Sequence, residues 1–167
     1  METLADRLEM LPQVGRVEWI GLSPHPRGEL RSVTEATLLV DHGLEDDHHA
    51  KHKVGSKRQV TLIQAEHLPA IASMIHNASV TPGLLRRNLV IAGINLLALK
   101  GRKFRIGDCE LEGTGPCDPC SRMEENLGPG GLNAMRGHGG LTARVLIGGV
   151  IKIGDEVRAL GFAMTHG

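Results

Sequence analysis

The chain has 167 residues, enough for one domain that buries about 70% of the surface its unfolded chain would expose, without help from disulfides. Basic and acidic residues balance at 19 each, and there are two Phe, one Trp (Trp19) and no Tyr. Neither a field for nucleic acid or anionic membrane nor a set of aromatic stacking platforms is available, so no nucleic-acid partner is expected.

In chain order, residues 1–13 read as a mobile arm. They are acidic where a secretory leader is basic, and no apolar run approaches spanning length. Three cysteines, an odd number, then argue for reduced thiols. The expectation is a cytoplasmic protein of one domain, residues 1–167, with no membrane partner.

Branched apolar residues follow in short runs broken by Gly and Pro. Strands are expected at 15–22, 33–40 and 58–63. A helix is expected at 64–76, where Leu68, Ile71, Ala72 and Ile75 follow a helical period. Next come a strand at 88–91, a turn or two of helix at 95–99, strands at 102–106 and 109–112, a short helix at 121–127, and strands at 141–147 and 156–160. Many short strands with few helices make a mainly β fold, a barrel or sandwich with a few short peripheral helices. Phe104-Arg-Ile-Gly-Asp108 and Ile151-Lys-Ile-Gly-Asp155 echo each other. A Gly-Asp turn between strand-like runs predicts two hairpins that pair in one closed sheet.

The densest chemistry lies between residues 111 and 155. Cys117-Asp-Pro-Cys120 precedes Ser121 and Glu124, which have the spacing of a capping box. Cys120 therefore sits just outside a helix N-terminus, where unpaired N–H groups favour thiolate, the form that attacks electrophiles and binds soft metals. Cys117 is a possible resolving thiol or second ligand, with an incidental role equally open, and Cys109 falls in a strand as a core residue. Earlier, the stretch 41–52 crowds four His and four acids without a clean ligand spacing. It reads as a mobile flap over a pocket, with Asp47 and His49 as its inward contacts.

Several elements occur together in one order: Gly43-Leu-Glu-Asp-Asp47-His-His49, Arg58-Gln-Val-Thr-Leu-Ile-Gln-Ala-Glu66, Leu85-Arg-Arg-Asn88-Leu-Val-Ile-Ala-Gly93, Phe104-x-Ile-Gly-Asp108, Pro119-Cys120, Gly137-x-Gly-Gly140 and Ile153-Gly-Asp155. In this the chain resembles the MOSC domain, named for the C-terminal domain of molybdenum cofactor sulfurases, over roughly residues 30–160. The resemblance implies a MOSC-type β-barrel that binds the molybdenum cofactor (molybdopterin) or carries sulfur to it. Some relatives reduce N-hydroxylated compounds, with the family cysteine as molybdenum ligand. Where members often have Gly-Asp, this chain has Asp46-Asp47, a backbone less able to approach a ligand closely. Residues that would hold pyridoxal phosphate are not evident, so that cofactor is not expected.

Mapped onto this sequence, the resemblance makes Cys120 the molybdenum or persulfide site and the candidate catalytic residue. The cofactor carries a phosphate and a pterin, so Arg87 is a candidate for the phosphate and Asn88 for the pterin edge. Asp47, His49, Arg58 and Cys117 are further cofactor-binding candidates. His138 and Arg144, beside the glycines at 137–140, close the other side through exposed N–H groups. The expected activity is reduction of N–O bonds, or cofactor or sulfur carriage. The chain has no flavin, haem or iron–sulfur motif, so an electron-donor or cofactor-delivery protein is implied. Two other readings stay open: a thiol-disulfide enzyme using Cys117 and Cys120, and a zinc module on Cys109, Cys117, Cys120 and His138.

Overall fold

A computed structural model describes residues 1–51 and 53–162. Its strands are β1 (Gly15–Leu22), β2 (Arg31–Val33), β3 (Glu35–Leu39), β4 (Gly43–Leu44), β5 (Val60–Gln64), β6 (Leu89–Ala92), β7 (Arg102–Ile106), β8 (Cys109–Pro116), β9 (Leu141–Ile147), β10 (Gly149–Lys152) and β11 (Glu156–Phe162). The helices are α1 (Leu4–Glu9), α2 (His67–Met74), α3 (Pro82–Leu85), α4 (Arg122–Leu127) and α5 (Gly131–Met135), with 3-10 turns at His48–Lys51 and Leu96–Leu99.

Seven strands close into a barrel in the order β11-β7-β8-β9-β5-β6-β1, and β1 returns to β11 through Gly15 opposite Val157. The fold is mainly β, as the sequence predicts. β2 hangs from β1, and β10, β3 and β4 form a separate small sheet. β5 and β6 run parallel, with Leu62 opposite Leu89. A parallel pair needs a crossover, and the segment carrying α2 and α3 supplies it.

Strand alternation decides where the helices lie. Val60, Leu62, Leu89, Ile91, Phe104 and Val145 point into the barrel. Ile63 and Val90, one residue out of phase, point outward and pack with Ile71, Leu85, Met123 and Met135 from four helices. β5 is therefore covered on both faces, and all five of its residues are buried. Each such Leu or Ile contributes about 1.5–3 kcal/mol relative to exposure, so this second cluster is what fastens the helical layer to the barrel.

Several expectations need correction. The run 33–40 breaks at Thr34, because β2 pairs with β1 whereas β3 pairs with β10 in the other sheet. The helix expected at 64–76 begins only at His67, since Gln64 is held in the parallel ladder opposite Ile91. The first Gly-Asp turn closes a hairpin, Ile106 opposite Cys109. The second does not, because it leads from β10 in the small sheet to β11 in the barrel. Residues 1–13 hold a helix with a Thr3–Asp6 capping box, and the buried Arg102 donates to the carbonyls of Leu8 and Glu9. The stretch 41–51 is likewise folded, with β4 paired to β3; His52 lies outside the described residues. No helix among the described residues is long and apolar enough to cross a membrane.

Candidate functional site

One mouth of the barrel gathers the end of β1 and the starts of β5 and β6, with Gly21 donating to the carbonyl of Asn88. A cleft opens there, lined by Ser23, Pro26, Leu30, Asp47, His48, His49, Arg58, Arg86, Arg87, Asn88, Cys120 and Arg122. Six predicted site residues, Asp47, His49, Arg58, Arg87, Asn88 and Cys120, meet in this cleft although they are spread over more than 70 positions of chain.

Asp47 is 1% exposed and carries four hydrogen bonds. Its Oδ1 accepts from the Ser23 N–H at 2.7 Å and from Asn88 Nδ2 at 3.1 Å. Its Oδ2 accepts from the His49 N–H at 3.1 Å and faces His49 Nδ1 at 2.8 Å. Burial alone would push this carboxyl up; the His49 contact and the Ser23 N–H outweigh it and hold the group below the ordinary carboxylate value. The neighbouring His48 ring faces the Ser23 carbonyl through Nδ1 at 2.9 Å. Donor atoms of Asp47, His48 and His49 lie within 4.8 Å of one another, near enough to share a cation. Against that use, both Asp47 oxygens are committed, and four guanidinium groups line the same cleft.

The arginines divide by role. Arg86, at φ 55°, donates to the carbonyls of Gly28 and Pro26 and to the Ser23 hydroxyl, and Arg122 also reaches Pro26; together they clamp the 23–30 loop. Burial, then the charge of Arg122, lowers the Arg86 pKa. Arg87 is only 2% exposed. Its Nε donates to Gly139 O at 2.8 Å and its Nη1 to Leu85 O at 3.1 Å, while Nη2 is buried without a hydrogen-bond partner. Burial depresses its pKa, and the Cys117 sulfur is the leading group acting the other way. A buried guanidinium without a carboxylate is an anion receptor by its chemistry.

The two sulfurs of Cys117-Asp-Pro-Cys120 differ in burial. Cys120 is exposed in the cleft, and Cys117 is buried behind it with its N–H bound to Gly140 O at 2.8 Å. Both follow a proline. The Ser121 capping box is not formed. Ser121 makes no side-chain cap, and the Glu124 carboxylate accepts instead from the N–H groups of Gly130 and Leu132 at the start of α5.

Other candidates fall elsewhere. Asn88 has no spare amide for a ligand: its carbonyl accepts from Thr61 and its Nδ2 donates to Gly21 O and Asp47. Gly139 and Gly140 face inward, where a Cβ would meet the backbone carbonyls of Cys117 and Leu62, so these glycines serve close packing. His138 packs edge-on against His67, ring centroids 4.7 Å apart. Arg144 stands opposite Glu112 on the barrel wall, 3.9 Å from Asp41. Neither lines the cleft. Cys109 is a core residue at the start of β8, and the four ligands of the zinc reading do not gather. Arg86, Arg122, Ser23 and His48 were not singled out from the sequence; the doubled Arg86-Arg87 was the available signal.

Comparison with solved structures returns the same fold. The YuaD protein from Bacillus subtilis superposes with a TM-score of 0.78 at 17% identity, over 92% of this chain and 100% of that one. YiiM from Geobacillus stearothermophilus gives 0.70 at 17% identity, over 87% and 75% of the two chains. YiiM from Escherichia coli gives 0.67 at 19% identity, over 89% and 71%. No curated protein matches in sequence. The MOSC domain model matches residues 49–158, which run from His49 through both sulfurs to β11, and the chain belongs to the MOSC domain family.

Proposed function

We propose that this protein binds the molybdenum cofactor in the arginine-lined cleft, with Cys120 as the metal ligand, and reduces the N–O bond of N-hydroxylated compounds with electrons from a partner protein. The observation that carries the reading is the pairing of an exposed thiol with a buried guanidinium whose Nη2 has no hydrogen-bond partner. A soft thiolate suits molybdenum, and Arg87 with Arg58 suits the phosphate of the pterin. When bound, the cofactor would supply two-electron redox chemistry; the chain's own residues bind, orient and surround it. The ordering of Arg86 and Arg122 on the 23–30 loop keeps one wall of the cleft in place. Membership of the MOSC family is consistent with this cofactor.

The test is metal and pterin analysis of protein purified anaerobically from molybdenum-supplied cells. About one molybdenum and one pterin per chain are expected, and both are lost in Cys120→Ser because a hydroxyl is a harder and far less acidic donor. Molybdenum-free wild-type protein that also fails to take up isolated cofactor rules the reading out.

A further inference from the structure

Arg86 and Arg87 are consecutive, yet their side chains part. Arg86 holds a left-handed backbone, φ 55°, which a residue with a side chain adopts only at a cost. Arg87 reaches Gly139 O, while Arg86 reaches the carbonyls of Gly28 and Pro26 in the 23–30 loop. The doubled arginine thus serves two places, and the cofactor site proposed above uses only Arg87.

On the Arg86 side a second guanidinium converges. Arg86 Nη2 and Arg122 Nη1 donate to the same acceptor, the Pro26 carbonyl, at 3.1 and 3.2 Å. Two cations on one neutral oxygen repel, and the charge of Arg122 adds to burial in lowering the Arg86 pKa. Holding the loop does not require the second cation, since Arg86 alone makes three bonds to it, with Gly28 O, Pro26 O and the Ser23 hydroxyl. Among the described residues Arg122 makes no other hydrogen bond and no ion pair, so most of its five N–H donors have no protein partner. Both arginines also border a second cavity of about 500 Å³, walled by the 23–30 loop, α3 and α4, where Arg27 is exposed. Glu29 and Glu125 line that cavity too, yet neither pairs with an arginine among the described residues.

We propose that Arg86 and Arg122 form an oxyanion receptor separate from Arg87, and that it holds a carboxylate or phosphate carried by the substrate, a role that rests on the reductase reading above. A planar guanidinium pairs bidentately with such a group, and an oxyanion between the two cations replaces their repulsion with attraction. Cys120 borders the same cleft as both arginines. An N-hydroxylated acid anchored there keeps its N–O group beside the sulfur proposed to hold the metal.

Inorganic phosphate, titrated into cofactor-free protein at low ionic strength, tests the receptor by calorimetry, with Arg87→Met removing the other anion site. Arg87→Met should still bind phosphate, and adding Arg122→Gln should weaken that binding about tenfold or more. Phosphate binding that vanishes in Arg87→Met, or survives unweakened in the double variant, overturns the receptor. In wild-type protein the Arg122 Nε–H NMR signal, identified by its absence from Arg122→Gln, should shift with phosphate; an unmoved signal overturns the receptor as well. The same shift should persist in molybdenum-loaded protein, and its loss there gives the pair to the cofactor's own phosphate and overturns the substrate role. With a dithionite-reduced viologen dye as electron source, loaded wild type should prefer a carboxylated aryl N-hydroxyamidine over its uncharged parent about tenfold or more in kcat/KM, and Arg122→Gln should erase the ratio, chiefly through KM. Equal values in the wild type overturn the substrate role alone. Wild-type protein that takes up no molybdenum overturns the reductase reading and the substrate role together, while phosphate binding still decides the receptor.

Discussion

Asn88 and Thr61 are locked together by reciprocal hydrogen bonds. The Asn88 side-chain carbonyl accepts from the Thr61 N–H and hydroxyl, each at 3.1 Å, and the Asn88 N–H reaches the Thr61 hydroxyl at 3.0 Å. Nδ2 of the same amide holds Gly21 O and the Asp47 carboxylate. One side chain thus ties β1, β5 and the 47–49 segment at the mouth of the barrel. Asn88→Ala leaves several of these groups buried and unsatisfied, so it should cost about 2–4 kcal/mol in urea unfolding and lower Tm by about 5–15 °C. A loss below about 1 kcal/mol would mean that water replaces the amide and that the clamp is dispensable.

Arg87 should separate binding from folding. The guanidinium is buried, one of its nitrogens has no partner, and its charge lacks a carboxylate. Arg87→Met removes an unpaired buried charge, which stabilises, and the donors to Gly139 O and Leu85 O, which costs a comparable amount. Arg87→Met is expected to unfold within about 1 kcal/mol of wild type while losing cofactor retention. A variant that melts far earlier yet still holds pterin would make Arg87 a structural residue.

The fold was largely legible because the strands at 15–22, 102–106 and 141–147 carry their pattern locally, in short runs of apolar residues bounded by glycine. The short elements β2, β4, α3 and α5 were not, since each is too short to show a period and exists through its pairing or packing partners. The site was legible in part. Arg87 and Cys120 carry their chemistry in their type. Asn88 and the glycines at 139–140 do not, because whether an amide meets a ligand or a threonine, or a glycine an anion or a carbonyl, is settled only by long-range packing. The Ser121–Glu124 spacing failed for the same reason: Glu124 found better donors at the start of α5.

His67 gives a pH dependence with a definite sign. Burial, then the nearby His138, holds its pKa below the ordinary value, with Glu66 opposing. The folded state thus favours the neutral ring, so the unfolded chain takes up the proton first as pH falls. Stability from this pair is fully present above the unfolded value of about 6.5 and is lost as pH drops through the lower folded value. Melting temperature should fall between pH 7 and pH 5, and His67→Phe should remove part of that fall. An identical slope in the variant would assign the acid sensitivity to other histidines.

Asp46 occupies a left-handed backbone conformation, φ 68°, that suits glycine. Its side chain is exposed and the cost of the left-handed region is about 1 kcal/mol for a non-glycine residue. Asp46→Gly should therefore raise stability by up to about 1 kcal/mol, and Asp46→Val should lower it, because β-branching is least compatible with positive φ. Equal melting of the two variants would show that the turn relaxes around residue 46.

The thiols supply the last prediction. Cys120 is exposed, whereas Cys109 and Cys117 are both 1% exposed. Native protein should then react quickly with one equivalent of a thiol reagent such as dithionitrobenzoate and reveal all three only in denaturant, and Cys120→Ser should abolish the fast equivalent. The same asymmetry should reach function. Cys117→Ser should keep most of the bound molybdenum, because the buried sulfur lies behind the cleft beside Arg87, and Cys120→Ser should keep none. A dithiol redox enzyme requires instead that both sulfurs be reachable in turn, one to attack and one to resolve, so that either substitution stops turnover. Two fast equivalents in native protein, together with equal loss of activity in the two variants, would move this protein from metal binding to disulfide exchange.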